Sequence, residues 1–176
     1  MDEIEIVEYD PQWPDRFSEE AARLTEVIDR DVVLEIDHVG STAVPNLCAK
    51  PVIDILITVS SVAEARSAVE PLRSLGYVFW SDNPRTDRLF FVKGMPPYGV
   101  QRTHHLHFME QGVEAKEYRL FRDYLRAHHT AAHVYASLKR QLATAYGDDR
   151  EAYTDAKEMF VRDCIEKAYR HLVPGG

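Results

Sequence analysis

The chain has 176 residues, enough for one domain with a sizeable core. Hydrophobic and charged fractions of 45% and 28% are those of a globular chain and exclude general disorder. A net charge of −8 argues against a nonspecific nucleic-acid binder, which needs a basic field, yet leaves room for a small anion in a local basic pocket.

The first residues, Met1-Asp2-Glu3-Ile4-Glu5, carry no basic leader followed by an apolar core. No apolar run is long enough to span a bilayer, so a cytoplasmic protein without a membrane partner is expected. Ile4 to Tyr9 alternates like a short strand or extended arm, and Asp10-Pro11-Gln12-Trp13-Pro14 breaks it. Pro14 suits a first helical turn, and Phe17, Ala21, Leu24 and Ile28 follow at helical spacing, which predicts a helix from Pro14 to Asp29.

Val32-Val33-Leu34 opens a strand that runs into a turn at Gly40, and a second strand spans Val52 to Val59. Residues 42 to 53 leave space for a turn and a short helix between them. Ser61 with Glu64, and Gly76 at the end, frame a helix whose buried face is Ala65, Val69, Leu72 and Leu75. Tyr77 to Trp80 and Arg88 to Val92 form a hairpin across the polar segment Ser81 to Asp87. An irregular loop, Gly94 to Gly99, precedes a strand from Thr103 to Phe108.

Three helices complete the chain, with apolar faces Tyr118/Phe121/Tyr124/Leu125, Tyr135/Leu138/Leu142 and Phe160/Ile165/Tyr169. Asp148 and Glu151 read as a capping box for the last of them. The order describes an α+β domain with a mixed sheet, residues 1–112 forming the sheet-containing core and 113–176 the C-terminal helical bundle of the same domain. Cys48 and Cys164 form no CxxC pair and read as small buried residues.

Asp54 is the anomaly. Val52-Ile53 and Ile55-Leu56-Ile57 surround it with residues that seek burial, and a carboxylate there needs a cation, a hydrogen-bond network or a metal. Gly40-Ser41-Thr42 at a strand end can present backbone N–H groups and hydroxyls to an anion, although the same residues also make an ordinary turn. His105 and His107 share one strand face and could hold a metal with a carboxylate from a neighbouring strand, or serve as core-edge histidines. His104 alternates to the other face and reads as a surface residue. Lys50, Arg85, Arg88 and Arg102 at strand ends, and Arg122 on a helix, are candidate phosphate contacts, although such residues are more often solvated surface charges. Lys139 and Lys157 could face the cleft or decorate helices. A Ser-His-Asp hydrolase built from Ser41, His38 or His105, and Asp54 is conceivable, though no spacing demands it.

His38-Val39-Gly40-Ser41-Thr42-Ala43-Val44-Pro45, Ala49-Lys50-Pro51 with Asp54, His105-Leu106-His107 and Phe121 to Arg126 together resemble the GrpB family, as do Tyr135/Lys139 and Tyr153/Lys157. Asn46 stands where that family leads one to expect glycine. The resemblance implies a nucleotidyltransferase-like fold, in which Ser41 touches nucleotide phosphates and Asp54 is the first metal carboxylate. Leu56 takes the place of a second carboxylate, so His105 or His107 would have to substitute for it. The implied activity is metal-dependent transfer of a nucleotidyl or phosphoryl group to a small acceptor, with Mg, Mn or Zn as the divalent ion. In that reading Asp54, Ser41, His105 and His107 are catalytic, and Gly40, Ser41, Thr42, Lys50, Arg88, Arg102 and Arg122 bind substrate. The alternative is a non-catalytic module for a nucleotide or a coenzyme A-like ligand. Fusion of family members to dephospho-coenzyme A kinase implies a link to that enzyme.

Overall fold

The computed structural model describes residues 4–147 and 149–172. The N-terminal arm is extended and exchanges two backbone hydrogen bonds with Ala49, from Val7 N at 2.9 Å and to Val7 O at 3.0 Å. Helix α1 covers Trp13–Val27 with Pro14 in its first turn, where a missing N–H costs nothing. Strands β1 (Val33–Val39) and β2 (Ile53–Val59) follow, separated by a short 3₁₀ turn at Ser41–Ala43. Asn46 adopts a left-handed backbone with φ 62°, which accounts for the expectation of glycine there.

The single helix expected from Ser61 to Gly76 is interrupted. The structure has α2 (Val62–Ala65), a 3₁₀ turn (Arg66–Ala68) and α3 (Val69–Ser74). Pro71 explains the break, because it cannot donate to the carbonyl of Ser67 and its ring crowds that group. The predicted ends hold: the Ser61 hydroxyl accepts from Glu64 N at 3.3 Å, and Gly76 takes φ 82°.

Strands β3 (Tyr77–Phe79) and β4 (Arg88–Lys93) make the expected hairpin, and β5 (His104–Glu110) returns through the sheet. The spatial order is β1-β2-β5-β4-β3, all neighbours antiparallel except β2 and β5. Helices α4 (Val113–Ala127), α5 (His129–Tyr146) and α6 (Arg150–Leu172) complete the chain. Asp148 of the expected capping box lies outside the described residues, and the neighbouring Asp149 carboxylate accepts from Ala152 N at 3.0 Å. No described helix is long and apolar enough to cross a membrane.

Strand alternation gives the sheet two different faces. Ile53, Ile55, Ile57 and Val59 of β2, with Leu106, Phe108, Leu89 and Phe91, pack under Trp13, Leu24, Ala65 and Leu72 of α1 to α3. One charge enters this core. Glu20 is 2% exposed, accepts from the Tyr77 hydroxyl at 2.9 Å and pairs with Lys93 at 2.6 Å. The opposite face carries Asp54, Leu56 and Thr58, and Leu56 packs with Val39, Met109, Ala115 and Tyr118 against α4. A separate cluster joins Val44, Leu47 and Cys48 to Leu125, Tyr135, Ala136 and Cys164 of the C-terminal helices. Both cysteines are free and buried, as expected.

Candidate functional site

The parallel pairing of β2 with β5 sets Asp54 opposite His105 and Leu56 opposite His107. Because residues two apart share a face, both imidazoles lie on the Asp54 side of the sheet. Asp54 Oδ1 stands 3.0 Å from His105 Nδ1 and 3.4 Å from His107 Nε2. One ligand atom from each of the three residues falls within 4.8 Å of the others. Phe90 on β4 steadies both rings, with centroids 5.2 Å from His105 and 5.0 Å from His107, and Tyr118 of α4 lies 5.4 Å from His107.

The site is partly open: the Asp54 side chain keeps 31% of its exposure and each histidine 17%. Burial works against ionisation of Asp54, but the hydrogen bonds and charge of His105 and His107 outweigh it and hold the carboxyl well below the usual carboxylate range. Burial also lowers the His105 pKa, against the pull of Asp54. Arg102, in the loop before β5, lies close enough to His105 to oppose its protonation.

The Gly40 turn closes directly over this carboxylate. Gly40 has φ 71°, and a Cβ added there would stand 2.6 Å from Asp54 Oδ2. Ser41 is half-buried at the start of the 3₁₀ turn, near enough to Tyr135 of α5 to temper the rise that burial gives that phenol's pKa. Helix α4 holds the turn from outside: Arg126 donates to Ala43 O at 2.9 Å, and Arg122 donates to His38 O at 3.1 Å and pairs with Asp37 at 3.3 Å. Arg119 adds contacts to Asp37 at 2.8 Å and to the Thr58 hydroxyl at 2.6 Å.

The other predicted residues divide clearly. Thr42 is 1% exposed, with its hydroxyl 3.0 Å from His38 Nε2 and 3.4 Å from Val52 O, so it braces the turn from within and does not face the site. His38 stacks on Phe17 at 4.8 Å, its Nε2 is engaged by the Thr42 hydroxyl, and burial drops its pKa to about 4. That geometry removes His38 as a base for Ser41. Arg122 is committed to Asp37, Asp123 and the His38 carbonyl. Arg88 pairs with Asp87 at 3.5 Å and with Glu114, a full residue pair beyond Phe90 along β4. Arg85 is likewise tied to Asp87 and Glu114. His104 lies on the opposite face, as expected, and is half-buried there with its pKa lowered by burial to about 4. Leu56 is fully buried, so no second carboxylate stands beside Asp54 on β2.

Lysines supply what the arginines do not. Lys50 Nζ sits 4.4 Å over the Tyr153 ring, Lys157 Nζ 4.2 Å over the same ring, and Lys139 Nζ 4.7 Å over Tyr135. Burial lowers Lys139 to about 7 and Lys157 to about 8, with the Asp54 charge pulling Lys157 the other way. Tyr135 and Tyr153 escaped the sequence reading as site residues because aromatics at helical spacing look like core. The signal available was the repeated spacing, a tyrosine four residues ahead of a lysine on each of two helices.

One carboxylate oxygen and two imidazole nitrogens are donors that suit zinc, manganese or iron better than magnesium. The fit is supported by His105 Nδ1 and His107 Nε2, which both face Asp54 Oδ1, with one ligand atom of each residue within 4.8 Å of the others. Asp54, His105 and His107 are therefore the residues that could hold a divalent ion.

Comparison with known proteins shows the family. Residues 3–167 match the family described as GrpB protein. The UPF0157 protein PA4798 of Pseudomonas aeruginosa is 48% identical over 167 residues, covering 95% of this chain and 68% of that protein. A protein named dephospho-CoA kinase from Mycolicibacterium paratuberculosis is 32% identical over 188 residues, covering 94% of this chain but 46% of its own length. Across the curated relatives, the share of the relative that is matched runs from about half to nearly all. The crystal structure of conserved protein GrpB from Enterococcus faecalis superposes with a TM-score of 0.84 at 30% identity, over 96% of this chain and 99% of that one. The chain belongs to the GrpB family.

Proposed function

We propose that the protein is a metal-dependent transferase that moves a nucleotidyl or related phosphoryl group from a phosphate-bearing donor to a small acceptor. The observation that carries this reading is the convergence of His105 Nδ1 and His107 Nε2 on Asp54 Oδ1, at 3.0 and 3.4 Å, beneath the Gly40-Ser41 turn. Asp54, His105 and His107 hold the divalent ion. When bound there, such an ion supplies Lewis-acid polarisation of a phosphoryl oxygen.

The chain's own groups have separable tasks. Asp54 stays ionised throughout the physiological range, so it serves as a ligand and not as a proton acceptor. Gly40 lets the backbone approach the carboxylate without a side chain, and Ser41 follows it at the start of the 3₁₀ turn. Arg122 and Arg126 keep the turn in position through the carbonyls of His38 and Ala43. Arg102 sits beside His105 and adds positive charge where a phosphate would lie. A nucleotide and a coenzyme A-like molecule both carry such phosphates. The kinase name of one relative makes the second a reasonable candidate for a ligand here.

A second reading is a non-catalytic module that binds the same ligands. Leu56 favours it, because a two-ion transfer site shares more than one acidic ligand and this side chain is wholly within the core. One experiment separates the two. Calorimetry with Zn²⁺ and Mn²⁺ measures ion uptake, and release of phosphate or pyrophosphate is followed with nucleoside triphosphates and an acceptor panel. Asp54→Asn is expected to abolish ion uptake and turnover while the fold survives. Turnover retained in Asp54→Asn removes the carboxylate from the mechanism, and binding without product in wild type selects the module.

A further inference from the structure

Helices α5 and α6 each present a tyrosine one turn ahead of a lysine, Tyr135 with Lys139 and Tyr153 with Lys157. Residues four apart stack along a helix face, which lays each ammonium over its own ring, at 4.7 and 4.2 Å. Lys50, from the segment between β1 and β2, reaches the Tyr153 ring from elsewhere at 4.4 Å. Two ammonium groups thus share one ring, and a third stands on the next aromatic.

Neutralisation of Lys139 and Lys157 is incomplete. Neither Lys139 nor Lys157 forms an ion pair among the described residues. Lys139 is 2% exposed and donates to the Cys48 carbonyl, although an ammonium has three protons to give. A chain with net charge −8 has ample acid to pair them, yet a buried cation has been left with a single neutral acceptor. The cluster adjoins the Asp54 site, since Lys157 and Tyr135 both feel the Asp54 charge.

We propose that Lys50, Lys139 and Lys157, set on the rings of Tyr135 and Tyr153 beside Ser41, form a seat for the diphosphate or triphosphate of the substrate. Several convergent ammonium groups match a ligand carrying several negative charges better than a lone carboxylate. This rests on the reading of Asp54 as the centre to which the phosphates are presented. It adds that the C-terminal helices take most of the charge of the polyphosphate, since Arg85, Arg88 and Arg122 are bound to carboxylates.

The test uses the full chain, freed of metal with EDTA, titrated with inorganic triphosphate in a calorimeter at low and moderate salt. Wild type is expected to bind, with affinity falling as salt rises. Lys157→Gln and Lys139→Met should each weaken binding at least tenfold, and Lys157→Arg should retain most of it. Lys139 is buried and its replacement could disturb folding, so the half-buried Lys157→Gln, checked for an unchanged thermal midpoint, decides the matter. Unaltered affinity in folded Lys157→Gln, or no binding by wild type, overturns the proposal. ATP and coenzyme A offered in parallel identify the carrier of the phosphates, and binding of either that is lost in Lys157→Gln supports the seat. Failure here is distinct from failure of the metal reading: Asp54→Asn should still bind metal-free triphosphate at least as well as wild type.

Discussion

Asp54 and His105, 51 residues apart in the chain, are in-register neighbours on parallel strands, and their side chains meet at 3.0 Å. The pairing explains how an acid survives among β-branched residues. Oδ1 is met by two imidazoles and Oδ2 is covered by the backbone of Gly40, while Ile53, Ile55, Ile57 and Val59 of the same strand turn to the other face.

Gly40 is the most constrained backbone position in the site. Gly40→Ala meets both the left-handed φ of 71° and a Cβ at 2.6 Å from Asp54 Oδ2. A loss of about 1–3 kcal/mol in denaturant-derived stability is expected, with weaker Zn²⁺ uptake because the carboxylate must move. A fully stable variant with unchanged Zn²⁺ affinity would contradict the close packing of turn and carboxylate.

Leu56 belongs to the core although it occupies the strand position two beyond Asp54. Leu56→Ala opens a cavity among Val39, Met109, Ala115 and Tyr118 and should cost about 2–5 kcal/mol. Ion affinity at Asp54 should change by no more than a few-fold. Calorimetric Zn²⁺ titration alongside urea unfolding separates the two effects, and a large loss of affinity in a folded Leu56→Ala protein would place this side chain in the site.

His38 makes the fold acid-sensitive. Its folded pKa of about 4 lies below the ordinary 6.5, so between these values the unfolded chain binds more protons than the folded one. Stability is therefore full above about pH 6.5 and declines as pH falls toward 4, by up to about 1.4 kcal/mol per unit for this group. His38→Gln keeps a polar partner for Thr42 and should flatten that part of the profile. Half-buried His104, lowered to a similar value, leaves a residual slope. An identical pH profile in His38→Gln would show that the ring does not titrate as its burial requires.

Glu20 tests the scaffold independently of the site. Glu20→Ala strands the Lys93 ammonium and the Tyr77 hydroxyl, which is fully buried, and should cost about 3–5 kcal/mol. Adding Lys93→Met and Tyr77→Phe should recover much of the loss, because the orphaned polar groups then disappear. Triphosphate binding should be unaffected throughout, since the network lies on the opposite face of the sheet. A loss below about 1 kcal/mol in the single variant would mean that the network is solvated.

Residues close in sequence explain which parts of the molecule were legible. Pro14 and the Phe17/Leu24/Ile28 spacing specify α1, Ser61 and Gly76 bound the helical segment after β2, and the alternation at Asp54 marks a strand with one costly position. Each follows from 3.6-residue or two-residue periodicity, which needs no knowledge of neighbours. The same locality misled at Pro71, whose missing donor broke a helix that the apolar pattern drew as continuous.

What the chain alone determined was that Asp54 needed compensation and that His105 and His107 share a face. Tertiary structure decided that β5 lies beside β2, that His38 turns to Phe17, that Arg88 and Arg122 are spent on carboxylates, and that Lys50 joins Lys157 over the Tyr153 ring. The physical reason is that a side chain's direction follows from its own backbone, whereas its partner depends on strand order and helix packing between segments 50 to 100 residues apart.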